Sequence, residues 1–447
     1  MHPKKAAIIG IGKTGLATAA FLAKKGIRIT LTDQKPASDW KESLSFLDNL
    51  HAKWSIAPYD PTMLAAVDLV VPSPGVYPAN SILVEAVRRG IPIWSELELA
   101  FRYLKTPLIA ITGTNGKTTT TSLLGEIFRK AGKKVFVGGN IGDPLIGYID
   151  GPQDADWAVV EVSSFQLQWV RTFHPRISIL LNVTPDHIDY HGSLASYRET
   201  KERIFANQTS GDLAILNGCE EESVSLGIRL NAQKEFFSSA GKPTSGIFID
   251  TDRLIYFPAN AKPEEYPLDM INLPGRHNLE NVMAAIIAAR YCGCPPTNII
   301  KAIKGFHGLP HRIEYVCEKN GVKFYDDSKG TNVGAVVRAI DSFKQPIILL
   351  LGGRDKKGDF QTLIPFIKKG VKEMVLFGEA RQKINDLIGN SVQTTIKATL
   401  KEAVKVAFEH AVHGDAILLS PGCASFDEFN NYKERGDYFQ EWAKQLT

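Results

Sequence analysis

The chain has 447 residues, too many for one ordinary core, and domains of common size predict two to four of them. Hydrophobic residues make up 44% and charged residues 22%, and the net charge of +4 gives no support to a nucleic-acid-binding protein. Five scattered cysteines argue against a disulfide framework, and no window approaches the ~20 apolar residues of a membrane helix. We therefore expect a cytoplasmic protein with reduced cysteines, no membrane insertion and no nucleic-acid partner.

Strand-like and helix-like patterns alternate along the chain, which predicts an α/β fold with parallel sheets. The first series opens with a short apolar run that ends in glycines, which is typical of a first β-strand and not of a signal peptide. Its predicted elements are strands at 6–11, 28–32, 68–71 and 91–94, and helices at 13–25 and 96–103.

A second series of predicted elements starts near residue 107, and a third starts near residue 309. The second has strands at 108–112, 134–137, 157–162 and 177–181, a hairpin at 246–249 and 253–257, and helices at 117–131 and 278–291. The third has strands at 323–325, 347–351, 373–377 and 416–419. These series predict domains at 1–97, 98–308 and 309–447.

A glycine-rich turn joins the first predicted strand to the first helix. Gly10, Gly12 and Gly15 form a G-x-G-x-x-G, whose backbone can approach a diphosphate at the positive end of the helix. Asp33 follows the second strand, where an acid that binds ribose is expected. Alone, this pattern predicts an NAD-dependent oxidoreductase, but a first domain of about 97 residues is short for a full dinucleotide fold.

A second glycine-rich loop follows the strand at 108–112 and opens the next helix. It reads TGTNGKTT and is shorter than G-x-x-x-x-G-K-[ST], because Ile111 stands where the longer motif has glycine. In such a loop the backbone N–H groups converge on phosphate oxygens, Lys117 neutralises the β- and γ-phosphates, and Thr118 binds Mg²⁺. The pattern predicts ATP binding by Gly113, Thr114, Asn115, Gly116, Lys117, Thr118 and Thr119.

Candidate magnesium ligands follow two other strands of the same series. Glu161 lies at the end of the strand at 157–162, and the segment NVTPDHID, residues 182–189, follows the strand at 177–181. Each alone is more often a cap or turn residue. Ligand residues emerge at the carboxyl ends of strands in an open α/β sheet, so together they favour a site beside the ATP loop.

Taken together, these motifs resemble the Mur ligase family, whose members build the peptide stem of bacterial peptidoglycan. The matching segments are TGTNGKTT, GNIG at 139–142, EVSSFQL at 161–167, NVTPDHID, HN at 277–278 with Asn281, GLPHR at 308–312, DDSKGTN at 326–332, LLGG at 350–353 and SPGCASFD at 420–427. The resemblance extends from residue 10 to about residue 436. Within the family, the short first domain, DSKGTN and SPGCASFDEF resemble the members that add D-glutamate.

The resemblance implies three α/β domains: a Rossmann-like N-terminal domain for the UDP part of the substrate, a central P-loop ATPase-type parallel sheet, and a Rossmann-like C-terminal domain for the amino acid. It implies a cytoplasmic, monomeric ligase that uses ATP and two Mg²⁺ ions. Its substrates would be UDP-N-acetylmuramoyl-L-alanine and D-glutamate. The reaction would pass through an acyl phosphate and a tetrahedral intermediate.

The resemblance also implies catalytic and metal-binding roles. Lys117 would hold the γ-phosphate, Thr118 and Glu161 the first Mg²⁺, and His187 the second. Lys201 matches a lysine that CO₂ converts to a carbamate in this family, and the carbamate would help to hold the second ion. From the sequence alone, Lys201 is a lysine on the surface of a helix.

Substrate-binding residues are implied in the same way. For ATP they include Asn281, Arg312 and Asp327. For the UDP substrate they are Gly12, Lys13, Thr14, Asp33, Gln34, Lys35, Ser73, Asn140, Ser163 and Gln166. For D-glutamate they are Lys329, Thr331, Lys356, Ser425 and the backbone of Tyr432, with Lys357 as the alternative to Lys356.

Four other functions stay open at this point. A Mur ligase that adds L-alanine or a diamino acid shares the ATP loop. A folylpolyglutamate-type ligase shares the central domain but has no need of the first glycine loop. An NAD-dependent oxidoreductase leaves TGTNGKTT unexplained, and a non-catalytic nucleotide-binding protein leaves Glu161 and His187 unexplained.

Overall fold

The computed structural model describes residues 3–35, 45–49, 53–258, 262–273, 275–356 and 358–446. The described residues form two compact units. The first unit takes in 1–183, 187–268 and 281–303, and the second takes in 184–186, 269–280 and 304–447. The fold is α/β with three mainly parallel sheets, which confirms the predicted fold class. In the described ranges, none of the helices combines the length and the apolar character that crossing a membrane requires.

The first sheet consists of four parallel strands. They are β1 (Lys5–Ile9), β2 (Arg28–Thr32), β3 (Trp54–Ile56) and β4 (Leu69–Pro72), in the order β3-β2-β1-β4. The helices of this part are α1 (Lys13–Lys24), α2 (Phe46–Asn49), α3 (Ser81–Arg88) and α4 (Glu96–Phe101). The predicted strand at 91–94 is wrong. Only Ile93 bridges to Val70, because Pro92 has no N–H to donate and Ser95 already caps α4.

The second sheet has nine strands. They are β5 (Leu108–Thr112), β6 (Val135–Gly139), β7 (Trp157–Glu161), β8 (Ile177–Leu180), β9 (Leu213–Asn217), β10 (Gln233–Ser238), β11 (Gly246–Asp250), β12 (Arg253–Phe257) and β13 (Glu264–Pro267). Their order is β13-β12-β11-β10-β9-β8-β5-β7-β6. Strand β12 pairs antiparallel with both β11 and β13, and the other neighbouring strands pair parallel. The predicted hairpin consists of β11 and β12.

The helices between residues 117 and 304 follow these strands in the chain. They are α5 (Lys117–Lys130), α6 (Leu145–Ile149), α7 (Ser164–Leu167), α8 (Ile188–His191), α9 (Leu194–Glu202), α10 (Glu221–Arg229), α11 (Arg276–Tyr291) and α12 (Pro296–Lys304). Strand β5 lies between β7 and β8, and all five of its residues are buried, as expected for a parallel strand covered on both faces. The carboxyl ends of β5, β7 and β8 therefore lie side by side.

The third sheet belongs to the second unit. Its strands are β14 (Glu314–Lys319), β15 (Val322–Asp326), β16 (Ile347–Gly352), β17 (Val371–Phe377), β18 (Gln393–Ile396) and β19 (Ala416–Gly422), in the order β14-β15-β19-β16-β17-β18. Its helices are α13 (Val333–Asp341), α14 (Ile364–Gly370), α15 (Arg381–Ile388), α16 (Leu400–His410) and α17 (Tyr432–Gln445). Strand β14 is antiparallel to β15, and the other strands pair parallel.

Six strands of the structure were not predicted from the sequence: β3, β9, β10, β13, β14 and β18. Four of them, β3, β13, β14 and β18, are edge strands, which are half-exposed and carry polar residues that weaken the apolar pattern. Strand β9 is fully buried, but its short apolar run alone does not distinguish a strand from a buried helical segment.

Candidate active site

The second glycine loop is held in place by Asn182, which follows β8. The Thr114 N–H donates to the Asn182 carbonyl at 2.8 Å, and the Asn115 N–H donates to Asn182 Oδ1 at 2.9 Å. Asn182 Nδ2 in turn donates to the Asn115 carbonyl at 3.1 Å. The sequence placed Asn182 in the NVTPDHID motif without a role, and these three bonds show that it fixes the loop.

Lys117 lies at the first turn of α5 with its ammonium against the loop. Its Nζ donates to the carbonyls of Gly113 and Thr114, both at 2.9 Å. Gly116 precedes the helix with a φ of +86°, a conformation that favours glycine. A positive side chain, the first N–H groups of the helix and the helix dipole therefore act together where an anion is expected.

Asn281 on α11 packs directly against this loop. A Cβ added at Gly116 would lie 2.1 Å from Asn281 Oδ1, so a larger residue at this position would require the Asn281 side chain to move. Asn281 is buried. The structure thus brings this predicted ATP residue to the loop across more than 160 residues of sequence.

Glu161, the last residue of β7, is buried and has a free carboxylate oxygen. Its Oε1 accepts a hydrogen bond from Asn140 Nδ2 at 2.8 Å, whereas its buried Oε2 has no hydrogen-bond partner within the described part of the chain. Glu161 pairs in register with Ile111, next to the start of the loop. A buried carboxylate oxygen without a partner is costly unless a cation binds it, so Glu161 fits a magnesium ligand.

Lys201 on α9 is 1% exposed, which corrects its interpretation as a lysine on the surface of a helix. Its Nζ donates to the Gly113 carbonyl at 2.8 Å, the same oxygen that Lys117 contacts, and lies 4.5 Å from the centre of the Tyr197 ring. The pattern of α9 is mostly polar, so only the tertiary structure shows that this side chain points inward. Two lysine ammonium groups therefore meet at one carbonyl of the loop.

His187 precedes α8 in a left-handed conformation with a φ of +53°. Its side chain is exposed, and its ring lies 4.8 Å from the ring of Phe165, in the EVSSFQL segment that begins with Glu161. Thr118 is half-buried in the first turn of α5. Together with Glu161 and Lys201, the structure thus places all four predicted metal-site residues in the first unit.

The first glycine loop is closed by two side chains that directly follow the strands β2 and β4. Asp33 Oδ2 accepts from the Ile11 N–H at 2.8 Å, and Ser73 Oγ donates to the Gly10 carbonyl at 2.8 Å. A Cβ at Gly15 would lie 2.0 Å from the Gly10 carbonyl oxygen, so the helix packs directly on the loop. Asp33 also accepts from the Lys35 N–H at 3.0 Å, so this acid already shapes the loop backbone.

The other residues predicted for the UDP substrate differ in burial. Lys13 is exposed and donates to the Gly142 carbonyl at 2.6 Å, and it forms an ion pair with Asp143 at 3.1 Å. Ser163 and Gln166 are buried in a capping box that starts α7. The remaining members are at the surface or half-buried: Gly12, Thr14, Gln34, Lys35 and Asn140.

Asp327 of the second unit is buried beside the strand β19. Its Oδ2 accepts from Ser420 Oγ at 2.7 Å, and its N–H donates to the Leu419 carbonyl at 2.7 Å. Burial raises the pKa of the Asp327 carboxyl to about 7, although Ser420 and the positive charge of Arg312 act in the opposite direction. Arg312 and Asp327, both predicted ATP residues, are thus electrostatically coupled.

Without nucleotide, the wild-type protein should lose stability as the pH rises, because Asp327 loses its proton. The Asp327→Asn variant should not show this loss. An aspartate in an unfolded chain titrates near pH 4, so the folded state binds more protons between about pH 4 and pH 7, and stability falls as the pH rises through this window. Asparagine resembles the protonated acid. Its free energy of unfolding relative to wild type should rise by about 2–3 kcal/mol between pH 5 and pH 8.

Chemical denaturation at the two pH values measures this difference. Asp359→Asn, which changes an exposed carboxylate of the same unit, is the control and should leave the pH profile of wild type unchanged. Parallel profiles for wild type and Asp327→Asn would show that burial does not perturb this carboxyl group.

Two of the residues predicted for D-glutamate, Lys329 and Tyr432, lie together at the start of α17. Lys329 Nζ lies 3.9 Å from the centre of the Tyr432 ring, and the Tyr432 carbonyl accepts from Ser328 Oγ at 2.8 Å. Lys356 Nζ donates to Thr331 Oγ1 at 3.4 Å. Ser425 is buried after β19, and Lys357 lies outside the described residues.

Arg435 on α17 joins these segments and was not predicted from the sequence. It is fully buried, with Nε donating to Ser328 Oγ at 2.9 Å and a terminal nitrogen donating to the carbonyls of Ser328 and Cys423 at 2.8 and 3.1 Å. Burial lowers the pKa of its guanidinium to about 10. A single arginine in a polar helix gave no signal in the sequence, since only burial distinguishes it from a surface residue.

Three family models match successive parts of the chain. The Mur ligase MurD-like N-terminal domain matches residues 4–95, the Mur ligase middle domain matches 111–289, and the Mur ligase glutamate ligase domain matches 311–423. Together these matches extend over most of the chain.

Curated relatives are similar over nearly the whole chain. A UDP-N-acetylmuramoylalanine–D-glutamate ligase of Syntrophus aciditrophicus is 58% identical, over 97% of this chain and 96% of its own length. A UDP-N-acetylmuramoylalanine–D-glutamate ligase of Geobacter metallireducens is 41% identical, over 98% of this chain and 96% of its own length.

Solved structures of more distant proteins share the fold. A pseudomurein peptide ligase type C from Methanothermus fervidus superposes with a TM-score of 0.62 at 18% identity, over 99% of this chain and 100% of its own. A UDP-N-acetylmuramate–alanine ligase from Thermotoga maritima superposes with a TM-score of 0.59 at 18% identity, over the same shares of the two chains. These likenesses concern the arrangement of the elements alone.

Proposed function

The chain belongs to the Mur ligase family, and we propose that it uses ATP to join D-glutamate to UDP-N-acetylmuramoyl-L-alanine in peptidoglycan synthesis. It is an ATP-dependent acid–amino-acid ligase. The observation that carries this proposal is the loop at 113–119, which Asn182 closes and which Lys117 and Lys201 both contact. Identity of 58% to a D-glutamate ligase over nearly the full length supports the choice of amino acid.

The chemistry explains why such a loop is needed. A carboxylate is a poor acyl donor, so the γ-phosphoryl group of ATP is first transferred to an oxygen of the alanine carboxylate, which breaks the Pγ–O bond to ADP. The amine of D-glutamate then attacks the carbonyl carbon and loses a proton, and phosphate leaves from the tetrahedral intermediate. The protein contributes mainly positioning and charge neutralisation to these steps.

Lys117 would hold the γ-phosphoryl group during its transfer, because its ammonium already lies at the loop. Thr118, Glu161, His187 and Lys201 as its carbamate would hold two Mg²⁺ ions, and the unpartnered oxygen of Glu161 supports this assignment. Bound Mg²⁺ supplies positive charge that offsets the charge on the phosphates. Asn281, Arg312 and Asp327 would hold the rest of ATP.

The two other substrates would use the remaining residues. The first glycine loop, shaped by Asp33 and Ser73, would receive the UDP group at the start of α1. D-glutamate carries two carboxylates and needs cations and hydroxyl donors, which Lys329, Lys356, Thr331 and Ser425 would provide.

We further propose that the chain has three domains with boundaries near residues 97 and 308. Each of the three sheets falls within one of these ranges, which supports the division. We also infer a cytoplasmic location, because the proposed substrates are ATP and a nucleotide-linked molecule, and we expect the chain to act as a monomer.

A coupled phosphate-release assay tests the proposed function. Turnover should require ATP, Mg²⁺, UDP-N-acetylmuramoyl-L-alanine and D-glutamate together, and omission of any one should reduce phosphate release to background. L-alanine or a diamino acid in place of D-glutamate, or a folate with L-glutamate, should give no product. Turnover with one of these alternatives at a rate similar to that with D-glutamate would overturn the assignment.

A further inference from the structure

A loop of the first sheet contacts the segment that carries His187. This loop, residues 73–77, follows β4 and begins with Ser73, which also closes the first glycine loop. The hydroxyl of Tyr190 donates to the Val76 carbonyl at 3.0 Å, and the hydroxyl of Tyr77 donates to Asp189 Oδ2 at 3.2 Å. The two tyrosine rings lie 5.1 Å apart. Two hydrogen bonds and one ring contact thus connect the 73–77 loop to α8.

The connection continues from Tyr190 to the metal-site residues. The ring of Tyr190 meets the ring of Phe165 edge to face at 4.5 Å, and Phe165 meets His187 in the same manner at 4.8 Å. His191 lies beside Tyr190 at 4.8 Å and beside Tyr197 at 5.1 Å, and Lys201 lies over the Tyr197 ring. We call these six rings the aromatic cluster: Tyr77, Phe165, His187, Tyr190, His191 and Tyr197.

The position of Tyr190 sets it apart from the rest of the aromatic cluster. Its phenol is half-buried, and its hydroxyl donates to a main-chain carbonyl. This hydrogen bond therefore depends on the position of the backbone of the 73–77 loop and not on a mobile side chain. Its ring also supports Phe165, which packs against His187. Tyr190 and Phe165 therefore form a continuous line of contacts from the 73–77 loop to a predicted metal ligand.

We propose that Tyr190 is a positioning residue that couples the 73–77 loop, and with it the bound UDP substrate, to His187. The proposal rests on the proposed function, because it takes the first glycine loop as the UDP site. Substrate that orders the loop then also orders His187. Loss of the bond to Val76 leaves the 73–77 loop less ordered, so it weakens binding of the UDP substrate more than binding of ATP or D-glutamate.

The test compares Tyr190→Phe with wild type in the same phosphate-release assay. The substitution keeps the ring and removes only the donation to Val76. We expect KM for UDP-N-acetylmuramoyl-L-alanine to rise about 3- to 10-fold, the usual effect of one lost hydrogen bond, while KM for ATP and for D-glutamate changes less than about twofold. Calorimetric titration of the UDP substrate without ATP should show a similar loss of affinity.

Tyr291→Phe is the matched control. The hydroxyl of Tyr291 donates to the Gly211 carbonyl at 3.1 Å in the same unit, away from the aromatic cluster, so its loss has a similar structural cost. This variant should change thermal stability slightly and leave all three KM values unchanged. The coupling is refuted if Tyr190→Phe behaves like Tyr291→Phe, or if it raises all three KM values equally. An inactive wild type would instead count against the proposed function, and the titration would still test the coupling.

Discussion

Replacing Lys117 with alanine is expected to lower kcat by about 10³-fold, the largest loss from any single substitution considered. Cations that contact a transferring phosphoryl group contribute effects of this size, because they act where negative charge develops. In the structure the Lys117 ammonium donates to two carbonyls of the loop, Gly113 and Thr114, so it is held at the position from which it would reach the phosphates.

The measurement is steady-state phosphate release at saturating ATP and Mg²⁺, with circular dichroism to verify that the variant folds. Lys130→Ala removes an exposed lysine from the last turn of the same helix and should retain nearly full activity. A Lys117→Ala enzyme that keeps more than about a tenth of the wild-type kcat would exclude the proposed role in phosphoryl transfer.

Replacing Lys201 is expected to lower kcat by about 10²-fold or more, because a carbamate on this side chain would be lost with it. Carbon dioxide adds to the side-chain nitrogen of a lysine, and Lys201 is almost fully buried beside the loop, where a carbamate would lie next to the predicted metal ligands. We choose Lys201→Met, since methionine keeps the apolar stem that packs near Tyr197 and cannot take up CO₂.

Two readouts separate a carbamate from a merely structural lysine. Native mass spectrometry of CO₂-equilibrated wild type should show an added mass of one CO₂ that Lys201→Met lacks. A small carboxylate such as acetate should restore part of the activity of Lys201→Met, because it can occupy the space of the missing carbamate. Glu199→Ala, an exposed change on the same helix, is the control. Absence of the added mass together with full activity of Lys201→Met would rule out this role.

The parallel core and the glycine loops could be predicted from the sequence. Strands such as β5 and β8 are continuous apolar runs, and a buried parallel strand needs only local hydrophobicity to be recognised. Edge strands such as β14 and β18 could not be recognised, because one side of each is exposed and their polar residues hide the pattern. The bounds of α1 and α5 agree with prediction within one residue, since glycines or a basic first turn mark their starts.

By itself, the sequence determined the fold class, the position of the loop at 113–119 and the family, because these depend on short segments whose residues act together along the chain. Only the tertiary structure decided that Lys201 is buried, that Arg435 holds the DSKGTN and SPGCAS segments, and that Tyr190 reaches the 73–77 loop. Each of these depends on contacts between residues far apart in sequence, which no local pattern encodes. A lysine, an arginine or a tyrosine in a polar helix has the same sequence signature whether it faces solvent or a site.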